Sequence, residues 1–180
     1  MKTIINAILL TVVLTLLTGF GYPLVITGAA QLLFHSQSNG SLATNASGQL
    51  VGSKLLAQPF TDARYFWPRP SAGSYATVAS GASNLGPTSA ALQKAVAANR
   101  AQFGNDAPVE MLTASASGLD PHISPEAARL QVPHVALARH LDEGKVNALV
   151  SQFTEAPQLG FLGEPRVNVL ALNLALDAIK

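Results

Sequence analysis

The stretch IINAILLTVVLTLLTGFGYPLVITGAAQLLF, Ile4 to Phe34, contains no Asp, Glu, Lys or Arg. A helix needs about 20 predominantly apolar residues to cross a bilayer, and that requirement is met by Val25 or Ile26. The reading is therefore a membrane span over residues 4–26 within an N-terminal anchor, residues 1–34. Thr11, Thr15, Thr18 and Thr27 fit such a span because a Thr hydroxyl can bond back to a helix carbonyl, and Asn6 lies near the membrane surface. Gly19, Gly21 and Pro23 fall late in the span, where a neighbouring helix can accept a kink or a close approach, or where lipid simply tolerates them.

A cleaved secretory leader is the rival, since Lys2 gives a basic start and Gly28-Ala29-Ala30 resembles a cleavage site. Its apolar region should run only about 7–15 residues, so the longer stretch here predicts a retained anchor. Lys2 precedes the span and the next basic residue is Lys54. The excess of basic residues on the cytoplasmic side of membrane proteins then predicts a cytoplasmic N-terminus and a folded domain outside.

Outward from the span, HSQSNGSLATNASG (35–48) is uncharged but for the histidine and rich in Ser, Asn and Gly, which predicts a polar linker or loose hairpin. Residues 49–180 are expected to fold as one extracytoplasmic domain. Its pattern predicts a strand near 49–57 with a turn or bulge at Gly52, a helix over 88–103 stopped by Gly104, and short helices over 125–130 and 133–140. Another helix over 145–153, a strand near 165–169 and a terminal helix over 170–179 complete a mixed α/β domain.

Composition excludes several classes. The chain has no cysteine, so thiol catalysis and Cys-based metal sites are out. Net charge is +1, which leaves no footprint for nucleic acid. Charged residues are 12% of the chain, where about 25% is usual, so part of the surface is expected to be covered by protein or membrane. His35, His122, His134 and His140 are scattered, and the six-residue spacing of the last pair does not align two metal ligands on one helix face. No catalytic residues and no metal ligands are assigned.

Gly81-Ala82-Ser83-Asn84-Leu85-Gly86 lacks the second glycine placement of a nucleophile elbow and the Gly-Lys-Ser/Thr of a phosphate loop. It reads either as a tight turn before the following helix or as a set of backbone N–H groups open to an anion. FWPRPSAGSY (66–75) has two readings as well. Pro68 and Pro70 stiffen the segment, so Phe66, Trp67, Arg69 and Tyr75 can meet a partner at low entropic cost. Alternatively the aromatics fill the domain's own core while Arg69 pins a loop. Arg64, Arg129, Arg139 and Arg166 are further candidates for tying loops to carbonyls.

Taken together, GQLVGSKLLAQPF, RYFWPRPSA, ASGASNLGPTS, TASASGLDPHISPEAA, QVPHVALAR and GEPRVNVLALNLALD occur in order after a single N-terminal span. In this the chain resembles the C subunit family of the Kdp-type potassium-transporting ATPases over nearly its whole length. The resemblance implies an accessory, non-catalytic subunit of a high-affinity potassium uptake complex in a bacterial cytoplasmic membrane. Its implied partners are a channel-like subunit and a P-type subunit that hydrolyses ATP; Asp-Lys-Thr-Gly, expected around a phosphorylated aspartate, is absent from this chain. The resemblance also implies a catalytic chaperone that raises the ATP affinity of the hydrolysing subunit, with a nucleotide-binding loop matching Ser80, Gly81, Ser83 and Asn84. ATP is thus expected through the complex, with no cofactor held covalently. The predicted topology sets that loop on the side opposite cytoplasmic ATP. His134 stands where the family commonly has arginine, and Ala57 and Ala82 replace commoner glycines. The alternatives are an anchored extracytoplasmic hydrolase or a ligand-binding module.

Overall fold

The computed structural model describes residues 1–179, which divide into two compact units at Leu42/Ala43.

The first unit is helical. Helix α1 (Lys2–Leu16) passes through a π-helical turn (Leu17–Gly21) into α2 (Tyr22–Leu33), 32 residues without a break. At about 1.5 Å per residue this is about 48 Å, more than the ~30 Å hydrocarbon core requires. The helix outruns the expected span because Ala29, Ala30, Gln31, Leu32 and Leu33 are all good helix formers. The Thr11 and Thr18 hydroxyls donate to the carbonyls of Ala7 and Leu14 at 2.9 and 2.7 Å. Pro23 explains the π turn: it has no N–H for the Gly19 carbonyl, and its ring crowds that carbonyl. The wider turn relieves the clash, and the Tyr22 N–H reaches back five residues to the Leu17 carbonyl. A short helix, α3 (His35–Ser38), follows, with the Asn39 amide donating to the His35 carbonyl at 2.7 Å.

The second unit opens with a two-stranded sheet, β1 (Leu42–Thr44) and β2 (Leu50–Ser53). Asn45 builds its turn, its Oδ1 accepting from the N–H groups of Ser47 and Gln49. The segment 35–48, expected as a polar linker or loose hairpin, thus carries α3 and the first strand and turn of a hairpin. At Gly52 the backbone has φ +154°, and a Cβ there would fall on the Gln58 amide, which donates to the Val51 carbonyl. A long irregular segment then leads to α4 (Ala90–Phe103), ended by Gly104 at φ +93°.

The rest is α5 (Val109–Leu112), β3 (His122–Ile123), α6 (Pro125–Arg139), α7 (Glu143–Gln152), β4 (Thr154–Glu155), β5 (Arg166–Asn168) and α8 (Val169–Asp177). The three strands form an antiparallel sheet in the order β3-β5-β4. Val132, Val135, Val146, Val150, Val167 and Leu172 form the centre of one core shared by α6, α7, α8 and β5. The architecture is therefore the expected mixture of helix and sheet.

Helix α6 corrects the expectation of two short helices. Ser124 caps it, with Oγ accepting from the Ala127 N–H at 3.0 Å, and Pro125 occupies the first helical position. Pro133 does not end it. Pro133 and Arg129, whose carbonyl loses its bond, are exposed to water, while Val132, Val135 and Ala136 remain packed. The helix stops at His140 in the left-handed conformation, φ 56°. The Leu141 N–H then returns to the Ala136 carbonyl and the His140 N–H to that of Leu137, a Schellman closure with histidine in the usual glycine position.

Candidate functional site

The Phe66–Pro70 segment is extended and partly buried, but its two prolines bar it from a sheet ladder. Buried backbone groups still need partners. Two amide side chains supply them. Asn173 on α8 accepts from the Phe66 N–H at 2.8 Å and donates to the Phe66 carbonyl at 2.9 Å. Gln131 on α6 accepts from the Trp67 N–H at 2.8 Å and donates to the Trp67 carbonyl at 3.1 Å. Each amide thus imitates a neighbouring strand for one residue. Both are almost wholly buried, at 1% (Gln131) and 2% (Asn173) exposed.

Further along, the Pro70 carbonyl accepts from the Ser115 N–H at 3.1 Å, and the Tyr75 hydroxyl donates to the Arg69 carbonyl at 3.0 Å. Arg69 pairs with Asp120 at 3.1 Å, while its buried Nε has no hydrogen-bond partner among the described residues. Burial raises the Tyr75 phenol above its ordinary range.

Of the four residues expected to meet a partner, Phe66 is turned inward and 0% exposed. It offers no contact surface, because it fills the core on the α8 side of the clamp. Trp67 and Tyr75 instead line an open groove of about 340 Å³ with Phe60, Pro70, Gln102 and Phe103. The Trp67 ring meets Phe103 edge-on at 5.8 Å and lies 5.1 Å from the His134 ring, and its Nε1 donates to the Asp62 carbonyl. His134 packs under the tryptophan with a buried Nε2 that has no hydrogen-bond partner among the described residues, and burial lowers its pKa against the opposing effect of a hydrogen bond to the Tyr65 backbone.

Arg69 faces a second depression of about 590 Å³, which it shares with Leu55, Ser80, Ser117 and Asp120. Ser80 Oγ and the Gly81 N–H both donate to the Ser117 carbonyl at 2.9 Å. Gly118, at φ +68°, permits this closeness: a Cβ there would lie 3.2 Å from the Gly81 carbonyl oxygen. The structure thus ties Ser80 and Gly81 together to the Ser117 carbonyl and leaves Ser83 and Asn84 exposed beyond them. The Gly81 N–H, which a phosphate would need, is already committed.

Arg139 ties three pieces together. Its Nε donates to the Arg64 carbonyl at 2.6 Å, Nη1 to the Leu176 carbonyl at 3.3 Å and Nη2 to Asp177 at 2.7 Å, with the guanidinium 4.8 Å over the Tyr65 ring. Nearby, a hydrogen bond from Arg64 holds the exposed Asp62 carboxyl below its usual range. Among the described residues no three His, Asp or Glu side chains are placed to hold a metal.

Gln131 and Asn173 escaped the sequence reading because a polar residue in a helix is ordinarily assigned to the water-facing side. The signal was present in VLALNLALD, where Asn173 takes a position the surrounding leucines mark as inward.

The fold thus joins one N-terminal helix apolar and long enough to cross a membrane to a small helix-and-sheet unit that braces an irregular aromatic segment, the make-up of a membrane-associated protein. A family model described as KdpC, the K+-transporting ATPase c chain, matches residues 4–178. The chain belongs to the KdpC family, whose members serve as accessory subunits of a potassium-uptake ATPase complex. It is 51% identical over 187 residues to the potassium-transporting ATPase KdpC subunit of Geobacter sulfurreducens, covering 99% of each chain. The corresponding subunit of Polaromonas naphthalenivorans is 56% identical over 191 residues, covering 100% of this chain and 97% of that one. That of Rhodospirillum rubrum is 54% identical over 187 residues, with 98% and 96% covered.

Proposed function

We propose that this chain is a non-catalytic subunit that holds together the channel-like and P-type subunits of a potassium pump in a bacterial cytoplasmic membrane. Its N-terminus lies in the cytoplasm and the folded unit outside, as the placement of Lys2 before the helix favours. The observation that carries the contact role is the double amide clamp on Phe66 and Trp67. It fixes an otherwise irregular segment so that Trp67 and Tyr75 present a rigid aromatic groove, a surface of the kind that dominates protein interfaces. ATP bears on this chain through the P-type subunit. Direct contact at Ser80, Gly81, Ser83 and Asn84 is disfavoured by the committed Gly81 N–H and by the side of the membrane.

The test is a tagged pull-down from mild detergent after co-expression with the two large subunits. Both should co-purify with the wild-type chain, and Tyr75→Ala should lower their recovery without unfolding the chain. Recovery of a folded chain alone would refute the assembly role. Because the chain lacks cysteine, a single Ser83→Cys reports topology: labelling of intact cells by an outer-membrane-permeant maleimide that cannot cross the cytoplasmic membrane is expected, and protection would reverse the orientation.

A further inference from the structure

The connection between β4 and β5 is built as an ordered projection with an apolar tip. Within it the Gln158 and Leu162 backbones exchange two hydrogen bonds, both 2.9 Å, and the Gly160 N–H closes on the Pro157 carbonyl at 3.0 Å. Leu159, Gly160 and Gly163 all take positive φ, at 54°, 83° and 84°. For leucine that conformation is costly and persists only where the surroundings impose it. The side chains so displayed are Leu159, Phe161 and Leu162, exposed to 83%, 74% and 49%. None of the three packs on the core, so the backbone hydrogen bonds hold a turn whose apolar side chains add nothing to the unit's own packing.

Three adjoining apolar side chains on a preformed turn are a contact surface. Charge decides between lipid and protein. From Ala156 to Pro165 there is no Lys or Arg and no Trp or Tyr, and the only charge is Glu164. A loop that settles on an anionic bilayer carries basic residues and interfacial Trp or Tyr. Glu155, at the base, is already paired with Arg166 at 3.0 Å, leaving Glu164 without an ion pair among the described residues.

We propose that the Leu159-Phe161-Leu162 tip inserts into an apolar depression on a neighbouring protein subunit of the same complex, with a cation at its rim facing Glu164. This rests on the assembly role above and assigns it a second contact, separate from the Trp67 groove.

The experiment uses the full chain co-expressed with the channel-like and P-type subunits, carrying a photoreactive benzoylphenylalanine in place of Phe161. Irradiation of membranes is expected to give an adduct with one of those subunits; adducts with lipid alone, or none, would overturn the proposal. In parallel, the double substitution Leu159→Ser, Phe161→Ser should cut recovery of the partners by about tenfold, the factor that loss of a modest interface anchor produces. Its thermal midpoint should stay at the wild-type value, because the residues are exposed. Full recovery with the double variant would overturn the docking inference alone, whereas a wild-type chain that recovers neither subunit would overturn the assembly role and this inference with it.

Discussion

Replacing Asn173 by alanine removes both hydrogen bonds that the Phe66 backbone makes inside the core. Each buried group left unpaired costs about 1–3 kcal/mol, so the substitution should destabilise the folded unit by about 2–6 kcal/mol. Set against a total of about 5–15 kcal/mol for an ordinary domain, that is a large fraction. A smaller effect is expected from truncating an exposed helical residue such as Gln152, within about 0.5 kcal/mol. The chain carries its own probe, since Trp67 is the single tryptophan and adjoins the clamped residue. Urea unfolding of the full chain in detergent, followed by Trp67 fluorescence, should show a lower midpoint with an unchanged slope. At about 3 °C per kcal/mol, the melting temperature should fall by at least ~6 °C. A midpoint within about 0.5 kcal/mol of wild type, with the same native emission, would refute the claim that the amide supports this segment.

Two further outcomes follow from the same geometry. Burial lowers the pKa of His122 and His134 in the folded state below the ordinary value of 6.5, so the unfolded chain binds more protons just below that pH. The contribution is complete above about pH 6.5 and declines as pH falls through the folded values; His134→Phe should flatten that slope in unfolding curves taken between about pH 7 and 5. Arg139→Lys keeps the charge but cannot reproduce a fork that reaches Arg64, Leu176 and Asp177 together. It should cost about 1–2 kcal/mol by denaturation and speed hydrogen exchange at the end of α8, and an unchanged exchange rate there would count against its bracing role.

Where local chemistry decides an element, the sequence was readable. Gly104 ended α4, Ser124-Pro125 began α6, and the leucines of 170–179 made α8, because caps and periodicity act within a turn or two. Pro133 misled because its effect depends on burial: a helix packed on one face and wet on the other tolerates the missing bond. Strands β3 and β4 have two residues each, too short for any alternation to register. The FWPRPSAGSY segment was legible as rigid and aromatic, but the division of labour was not. Whether Phe66 or Trp67 faces inward is set by which backbone groups Asn173 and Gln131 seize, and those partners lie 107 and 64 residues further along the chain. Conversely, the long N-terminal helix could be read almost entirely, since apolarity over length needs no partner to interpret.

Those separations also impose an order of events on the newborn chain. Synthesis runs from the N-terminus, so FWPRPSAGSY emerges well before α8 exists, and no nearer element offers the Phe66 backbone its two partners. Contacts between distant residues form late, because the intervening chain must first be gathered. Until residue 173 has been made and folded onto α6, the aromatic segment remains open to water, to proteases and to chaperones. A ribosome stalled anywhere between Trp67 and Asn173 would therefore hold a chain whose aromatic groove has not yet been assembled.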